Sequence, residues 1–530
     1  MEKIATDIYT FEHLRQDGFV YVDKTDLLWR LASLQEGRQF FISRPRRFGK
    51  SLMLSTLKCI FEGKRKLFKG LKIEKKRWDW KKTWPVVMLN MAEVTASSVE
   101  ELREGLVDTV VGLVKDFGLA DVPRLSNPGK YLGNFFKALA AARGEFVVLV
   151  DEYDVPLQGV LDNRAALVRV RKLMHDFYIQ LKNHESNIRF LMLTGVTKLT
   201  KVSVFSGLNH LRDLTMKFPG YATLLGYTPE EIAKFFPRRL DALAKKHKTN
   251  RKGALKLLLD WYDSYRFSNL SEARVCNPIS IGLALATGAL QSYWVGTAAA
   301  TLVMERIAAA NKSPADFEGC TATVEELDLC EATELPAKSL MYQSGYLTIK
   351  GLSETEVDEI GNPKLILGAP NHEVRGAMRA CWFSGFLKVP ANDFDALVDT
   401  AKRQIAAGDI KGLLYESLFG LYAKLPPTWR VKNEAEAKRY FLLFMRMAGA
   451  NPQPEVASLL GYADAIIETP KFVWVFEFKF NKSAKAAIRQ IREKGYADLY
   501  KGDKRPVTLV GINFRAAKRN IDEPLFECKT

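Results

Sequence analysis

Three runs in this 530-residue chain place groups that handle phosphate and metal ions at spacings suited to that work. The first is Gly49-Lys50-Ser51, which follows Arg46, Arg47 and Phe48 and an apolar run at 39–43. In that order a glycine lets the backbone approach phosphate, a lysine reaches the terminal phosphates, and a serine hydroxyl holds magnesium; the helix that starts there adds partial positive charge. The second is VVLVDEYD at 147–154, an apolar strand ending on Asp151 and Glu152. A first acid so placed binds magnesium through water, and a second polarises the attacking water. A further apolar run ends at Thr194, with Lys198 just beyond, where a sensor of the γ-phosphate would sit. A lone GKS triplet arises by chance, and an apolar strand with a solvated acidic end is common. The usual first glycine of the loop is also replaced, by Arg44. Three compatible pieces in order favour ATP with magnesium over coincidence.

The third run lies near the other end. Asp464 closes GYAD, and Glu477 and Lys479 stand in EFK at the end of an apolar strand. The acids are 477 − 464 = 13 residues apart, enough for a strand, a turn and a return strand. Residues 477 and 479 of one strand share a face. A carboxylate pair with a lysine can hold magnesium and activate water against a phosphodiester. The competing reading of Glu-x-Lys is a solvated cross-strand pair.

Positioning these groups requires particular elements. Short apolar runs at 39–43, 86–90, 146–150 and 188–193 predict the strands of a parallel sheet, and the later three are near-continuously apolar, as strands covered by helices on both faces are. After Gly226 the pattern becomes helical, opened by a capping box at Thr228, Pro229 and Glu231. A strand is expected at 346–350, and helices after Glu373. The last part predicts a helix at 434–447, strands near 463–468 and 472–478, a helix at 483–500 and a strand at 507–512, with Pro426 and Pro427 as a hinge. The expected architecture is α/β throughout. It comprises an N-terminal P-loop ATPase domain (1–226), a mainly helical lid or linker (227–375) and a C-terminal α/β domain with preceding helices (376–530).

The balance of 78 Lys and Arg against 61 Asp and Glu leaves a net charge of +17. Such a surface suits a polyanion, and equally suits mere solubility. Ten of the cations fall between 64 and 82, where only Glu74 and Asp79 oppose them. Six scattered cysteines without a CxxC pair argue for reduced thiols in a cytosolic setting. MEKIATDIYT lacks the apolar core of a signal peptide, and the most apolar stretch, 279–290, is too short to span a bilayer. No membrane partner is expected. The six histidines form no metal-ligand spacing, and nothing has the setting of an acyl-transfer nucleophile.

The chain resembles the bacterial AAA-ATPase-like proteins with a C-terminal PD-(D/E)XK nuclease-superfamily domain. The matching stretches are YVDKT at 21–25, RPRRFGKSL at 44–52, LVDEYDVPL at 149–157, LTGVTK at 193–198 and FSGLNHLRDLT at 205–215. They continue with WYDSYRF at 261–267, NPIS at 277–280, SGYLTIK at 344–350 and PNHEVR at 370–375. The resemblance makes the Arg-containing loop a family feature and implies nucleotide binding through residues 46–51, with Asp151, Thr194 and Lys198. It also implies a nuclease core built on EVASLLGYAD at 455–464 and EFK, with Asp464, Glu477 and Lys479 catalytic. Glu434, or Glu436 in its place, would add an acid, and Glu455, Gln490 and Tyr496 would support the site. Tyr462 stands where the family commonly has Arg, which bears on phosphate binding and on the orientation of Asp464.

Two functions from different classes follow. One is an ATPase whose nucleotide state drives or gates cleavage of nucleic acid, DNA ahead of RNA. The other is a STAND-like ATP-dependent switch whose nuclease fold only binds nucleic acid or a protein. Either is compatible with a homo-oligomer.

Overall fold

The computed structural model describes residues 1–94, 98–158, 160, 163–198, 211–294, 303, 307, 314–328, 336–382, 391–425, 431–458 and 460–529. The hinge expected at Pro426 and Pro427 lies outside these residues, as do 205–210 of the FSGLNHLRDLT stretch. The chain forms two compact units, one of 1–299 with 317–377 and one of 300–316 with 378–530.

In the first unit, β1 (Gln39–Ser43), β2 (Val86–Asn90), β3 (Phe146–Asp151), β4 (Ile188–Gly195) and β5 (Arg212–Asp213) make one sheet in the order β2-β3-β4-β1-β5. Every pairing is parallel. Phe146 to Val150 are fully buried, as the unbroken apolar run requires of a strand with helices on both faces. Because β4 is inserted between β1 and β3, the end of β4 lies beside both the phosphate-loop strand and the acidic strand. β4 runs past its expected end through Thr194 to Gly195. A Cβ at Gly195 would come within 2.4 Å of the Tyr153 ring and 2.7 Å of Asp154 Oδ1, so only glycine lets the strands meet there.

Of the segment 227–375, residues 227–299 and 317–375 share a unit with this sheet, while 300–316 belong to the second unit. The first helix of the segment, Pro229–Phe235, carries the complete capping box of Thr228 and Glu231. Only residues 348–350 of the expected strand at 346–350 are in a strand, opening β7 (Thr348–Val357) of a three-stranded sheet with β6 (Thr321–Ala322) and β8 (Pro363–Gly368). The hairpin turns where Asp358 accepts the amides of Ile360 and Asn362. β8 escapes a sequence reading because its first two residues, exposed Pro363 and half-buried Lys364, break the apolar pattern.

The second unit holds a mixed sheet of β9 (Gln453–Ser458), β10 (Gly461–Glu468), β11 (Val473–Phe480), β12 (Val507–Arg515), β13 (Asn520–Ile521) and β14 (Leu525–Lys529), the last paired with β12. β11 and β12 are parallel, joined through the helix Ala484–Glu493. That helix is shorter than the expected 483–500, since Gly495 turns the chain at φ 61°. It crosses β12 closely at Gly511, where a Cβ would meet the Ala484 carbonyl at 2.4 Å. The helix Glu434–Met447 anchors to β11 through Phe441, 4.7 Å from Phe476 and 4.9 Å from Phe478 between ring centres.

Candidate functional site

Residues 44–49 leave the buried strand β1 and turn into the helix Lys50–Phe61. Gly49 sits at φ 91° and Arg47 at φ 68°, backbone of the left-handed kind that a phosphate-cradling loop uses. Lys50 is 6% exposed, and its ammonium donates to the carbonyls of Arg44 at 2.9 Å and Pro45 at 3.0 Å. Burial pushes this lysine below its ordinary range, against the pull of Asp151. Arg44, at the position of the missing glycine, is turned inward: its guanidinium donates to the carbonyls of Ser43 and Thr215 and lies 4.2 Å over the Phe267 ring.

Asp151 ends β3 and accepts the hydroxyl of Thr194 from β4 and the amide of Glu152 at 3.1 Å. Glu152 itself stands at φ 51°, and burial followed by the Asp151 charge pushes its carboxyl above the usual range. Asp154 is wholly buried and accepts the Thr197 amide at 2.9 Å and hydroxyl at 2.7 Å, which fixes the chain just past β4. Arg46, Arg47, Gly49, Lys50, Ser51, Asp151 and Glu152 line one cavity of about 950 Å³. Its other wall is largely apolar, with Ile8, Val20, Tyr227 and Ile279. The arrangement offers cations and amides for phosphates, a hydroxyl and carboxylate for a metal ion, and an apolar end for a base.

Three residues expected to touch nucleotide stand elsewhere. Lys198 is 1% exposed and ion-paired to Asp213 at 2.9 Å and to Asp328. Burial opposes its charge, and the two carboxylates more than offset this, holding the ammonium above the ordinary lysine range. It braces the end of β4 rather than facing the cavity. The Phe48 ring is buried edge-on to Tyr265 at 4.9 Å and Phe267 at 5.3 Å, so only its backbone remains for phosphate. Thr194 is fully buried and acts through Asp151, whose carboxylate it orients.

Several motifs that are far apart in sequence converge on the phosphate loop. Tyr265 and Phe267 of WYDSYRF clasp Phe48. Asn277 of NPIS caps the helix Pro278–Thr287 and reaches the Arg46 carbonyl at 3.4 Å. Gly345 of SGYLTIK lets Pro45 approach; a Cβ there would meet its ring at 2.7 Å. Glu373 of PNHEVR accepts the Ser280 hydroxyl at 3.0 Å and the Tyr293 amide at 2.7 Å, while the Tyr293 carbonyl accepts from Arg47 at 2.7 Å. Burial pushes Glu373 up to about 6. None of these roles is legible from spacing, because each partner comes from a separate element.

In the second unit, β10 and β11 bring Asp464 beside Glu477 and Lys479. Asp464 Oδ2 accepts the Phe478 amide at 2.7 Å. Glu477 is 2% exposed, accepts from Lys479 at 2.7 Å through Oε1, and has a buried Oε2 without a hydrogen-bond partner. Burial and then the Asp464 charge push Glu477 up to about 7, against the lowering effect of Lys479. Lys479 also donates to the Phe478 carbonyl at 2.7 Å and lies 3.5 Å from Glu434, the first residue of its helix. Among the described residues no three acid, imidazole or thiol groups form a metal cluster. An ion on this carboxylate pair would therefore complete its shell with backbone, water and phosphate oxygens.

Lys438 was not singled out by the sequence. It lies one turn beyond Glu434 on the same helix and reaches Asp464 at 3.2 Å and Glu455 at 3.5 Å. The i,i+4 spacing from Glu434 was the available signal. Gln490 and Tyr496 bond to each other at 3.2 Å, and the Tyr496 hydroxyl packs on Gly461, so they brace the start of β10. Glu455 is exposed on β9. Tyr462 is 65% exposed on β10.

A phosphate loop on a parallel sheet, followed in the same chain by an Asp, Glu and Lys constellation on a mixed sheet, defines a P-loop ATPase fold and a PD-(D/E)XK-like fold in one polypeptide. The family described as "Predicted AAA-ATPase" matches residues 5–205, and the PD-(D/E)XK nuclease superfamily matches residues 432–524. The chain is 30% identical over 534 residues to an "Uncharacterized protein in vnfD 5'region" of Azotobacter chroococcum mcd 1, covering 98% of each. It belongs to the bacterial AAA-ATPase-like family with a C-terminal PD-(D/E)XK nuclease-superfamily domain. A solved structure of the Aeropyrum pernix ORC1 protein in complex with DNA covers 67% of this chain and 90% of its own, at 11% identity; its TM-score of 0.25 is too low to bear on function.

Proposed function

We propose that this protein binds ATP on its N-terminal sheet and uses nucleotide state to govern metal-dependent cleavage of nucleic acid on its C-terminal sheet. The observation that carries the reading is the buried, unpartnered Oε2 of Glu477 beside Asp464 and Lys479. An uncompensated buried acceptor costs on the order of 1–3 kcal/mol, and a carboxylate pair held at that cost suits a site built to receive a cation.

Magnesium, when bound, supplies Lewis-acid polarisation of phosphate and an activated water. In the nuclease site Asp464 and Glu477 would hold it. Lys479 donates toward negative charge developing at the cleaved phosphodiester, and the Phe478 amide keeps Asp464 turned toward Glu477. In the ATPase site Ser51 and Asp151 would hold the metal, Lys50 exchanges its two carbonyl partners for phosphate oxygens, and Glu152 orients the attacking water. No helix among the described residues is long and apolar enough to cross a membrane.

The deciding experiment incubates purified protein with plasmid, linear duplex and single-stranded substrates, with and without ATP and magnesium, beside Asp464→Ala and Glu477→Ala. Cutting that needs magnesium and both acids, and that responds to ATP, is the expected result. Variants that cut as the wild type does would assign the activity to a contaminant or another site. A wild type that cuts nothing under any condition would favour the ATP-dependent switch. Exposed Tyr462, at the position where the family resemblance leads one to expect Arg, favours that second reading.

A further inference from the structure

The polypeptide between the phosphate-loop helix and β2 carries most of the basic cluster, and its placement separates a binding surface from a solubilising run. Its backbone is docked rather than loose. Phe68 and Ile73 are buried, and the Phe68 ring lies 4.8 Å from Phe11. The Lys72 amide donates to Asp23 Oδ2 at 2.7 Å, and the Ile73 amide donates to the Thr25 hydroxyl at 3.0 Å, which gives the YVDKT motif a structural task. Arg15 grips the carbonyls of Leu67 and Lys69, each at 2.8 Å.

From this fixed backbone the cations project outward. Lys64 is neutralised by Glu12 and Glu62, and Lys72 by Asp26. Arg65, Lys66, Lys69, Lys75, Lys76 and Arg77 are exposed, with no acid in ion-pair range among the described residues. Half-buried indoles lie between them: Trp29 is covered by the Lys76 ammonium at 5.1 Å, and Trp80 stands 5.0 Å from Phe68. Like charges held this close on a rigid support repel one another, and a polyanion that releases its counterions relieves the repulsion. Aromatic faces among the cations add a surface on which bases stack.

We infer that residues 65–82 form a nucleic-acid docking surface on the ATPase unit, distinct from the carboxylate site of the other unit. The inference rests on the nucleic-acid reading above and deepens it by naming the chain's own contact surface. Because the excursion continues directly from the helix that begins at Lys50, and Lys64 lines the nucleotide cavity, the surface is built on the element that carries the phosphate loop.

The test measures binding of fluorescently labelled duplex and single-stranded oligonucleotides to full-length protein in EDTA, across a salt series. The variant carries Lys66→Gln, Lys69→Gln, Lys75→Gln, Lys76→Gln and Arg77→Gln together, none of which lines the nucleotide cavity. ATP affinity and the melting curve report that it is folded. The magnitude of the slope of log K against log salt is expected to fall by up to about 4.5 for duplex and about 3.5 for single strands, the full values if all five cations contact phosphate. An unchanged slope overturns the inference while leaving the nuclease reading intact. A lost slope in a protein that never cleaves sustains the inference and sinks the nuclease reading. Wild type that binds no oligonucleotide but binds vesicles of equal parts phosphatidylcholine and phosphatidylserine, with that binding lost in the variant, overturns it in favour of a lipid surface.

Discussion

The two candidate sites hold their reactive groups by different means. In the N-terminal site Lys50 rests on two backbone carbonyls, and Asp151 is turned by a hydroxyl and an amide, all of them neutral partners. In the C-terminal site Asp464 and Glu477 are each tied to a lysine, Lys438 and Lys479. Neutral partners are exchanged for a charged ligand at little electrostatic cost. Ion pairs must be shared or broken when another cation arrives, so metal affinity there competes with protons and with the protein's own lysines. On the proposed function, the first site would respond readily to nucleotide, and the second would stay closed until metal and substrate phosphate were both present.

The largest effect should come from Lys50→Ala. Losing the charged donor to phosphate should weaken ATP binding by on the order of 100-fold in calorimetry, while Asp464→Ala leaves that affinity unchanged. Equal affinities in wild type and Lys50→Ala would break the comparison, since Lys50 would then be only a brace for the loop.

A smaller effect concerns Glu477→Gln. With its carboxyl raised from 4.5 to about 7, the folded protein binds the extra proton between those values. The stabilisation this gives is complete below pH 4.5 and is lost as pH rises through 7. The variant should therefore melt about 2–4 °C above wild type at pH 8 and converge with it at pH 5, by scanning calorimetry. A difference of the same size at both pH values would mean that packing, not the charge, sets the cost.

The smallest concerns Tyr462→Arg. Because Tyr462 is exposed, a new cation there should contribute no more than about 1 kcal/mol, a gain of up to about fivefold in cleavage rate or substrate affinity. A gain far beyond that would mean that Tyr462 itself holds the site inactive.

The α/β class and the parallel sheet were legible because fully buried strands must be apolar throughout, as at 146–150. The edge strands β9 and β14 were not, since β9 is largely exposed and its polar residues mask the alternation. Gly49, Lys50, Ser51, Asp151 and Glu152 could be gathered from sequence because each stands at a strand end or helix start, positions that local pattern marks. Lys198 was misplaced for the opposite reason: its partner Asp328 lies 130 residues away, and no local rule announces the pair. Lys438 was passed over because a lysine one turn after a glutamate reads first as a surface helix pair.

The bracing of the phosphate loop by WYDSYRF, NPIS, SGYLTIK and PNHEVR also sets when that loop can be completed. Asn277 meets Arg46 across 231 residues of chain, and Arg47 meets Tyr293 across 246. Contacts of such high contact order form slowly, because long segments must be brought together before any of them rewards the search. During synthesis the strand, glycine and lysine emerge early, but the residues that clasp them leave the ribosome only after about 200–300 further residues, at least ten seconds later at ordinary elongation rates. The nascent chain thus carries the phosphate-loop sequence long before it carries a braced loop, which delays nucleotide capture until most of the first unit has been made.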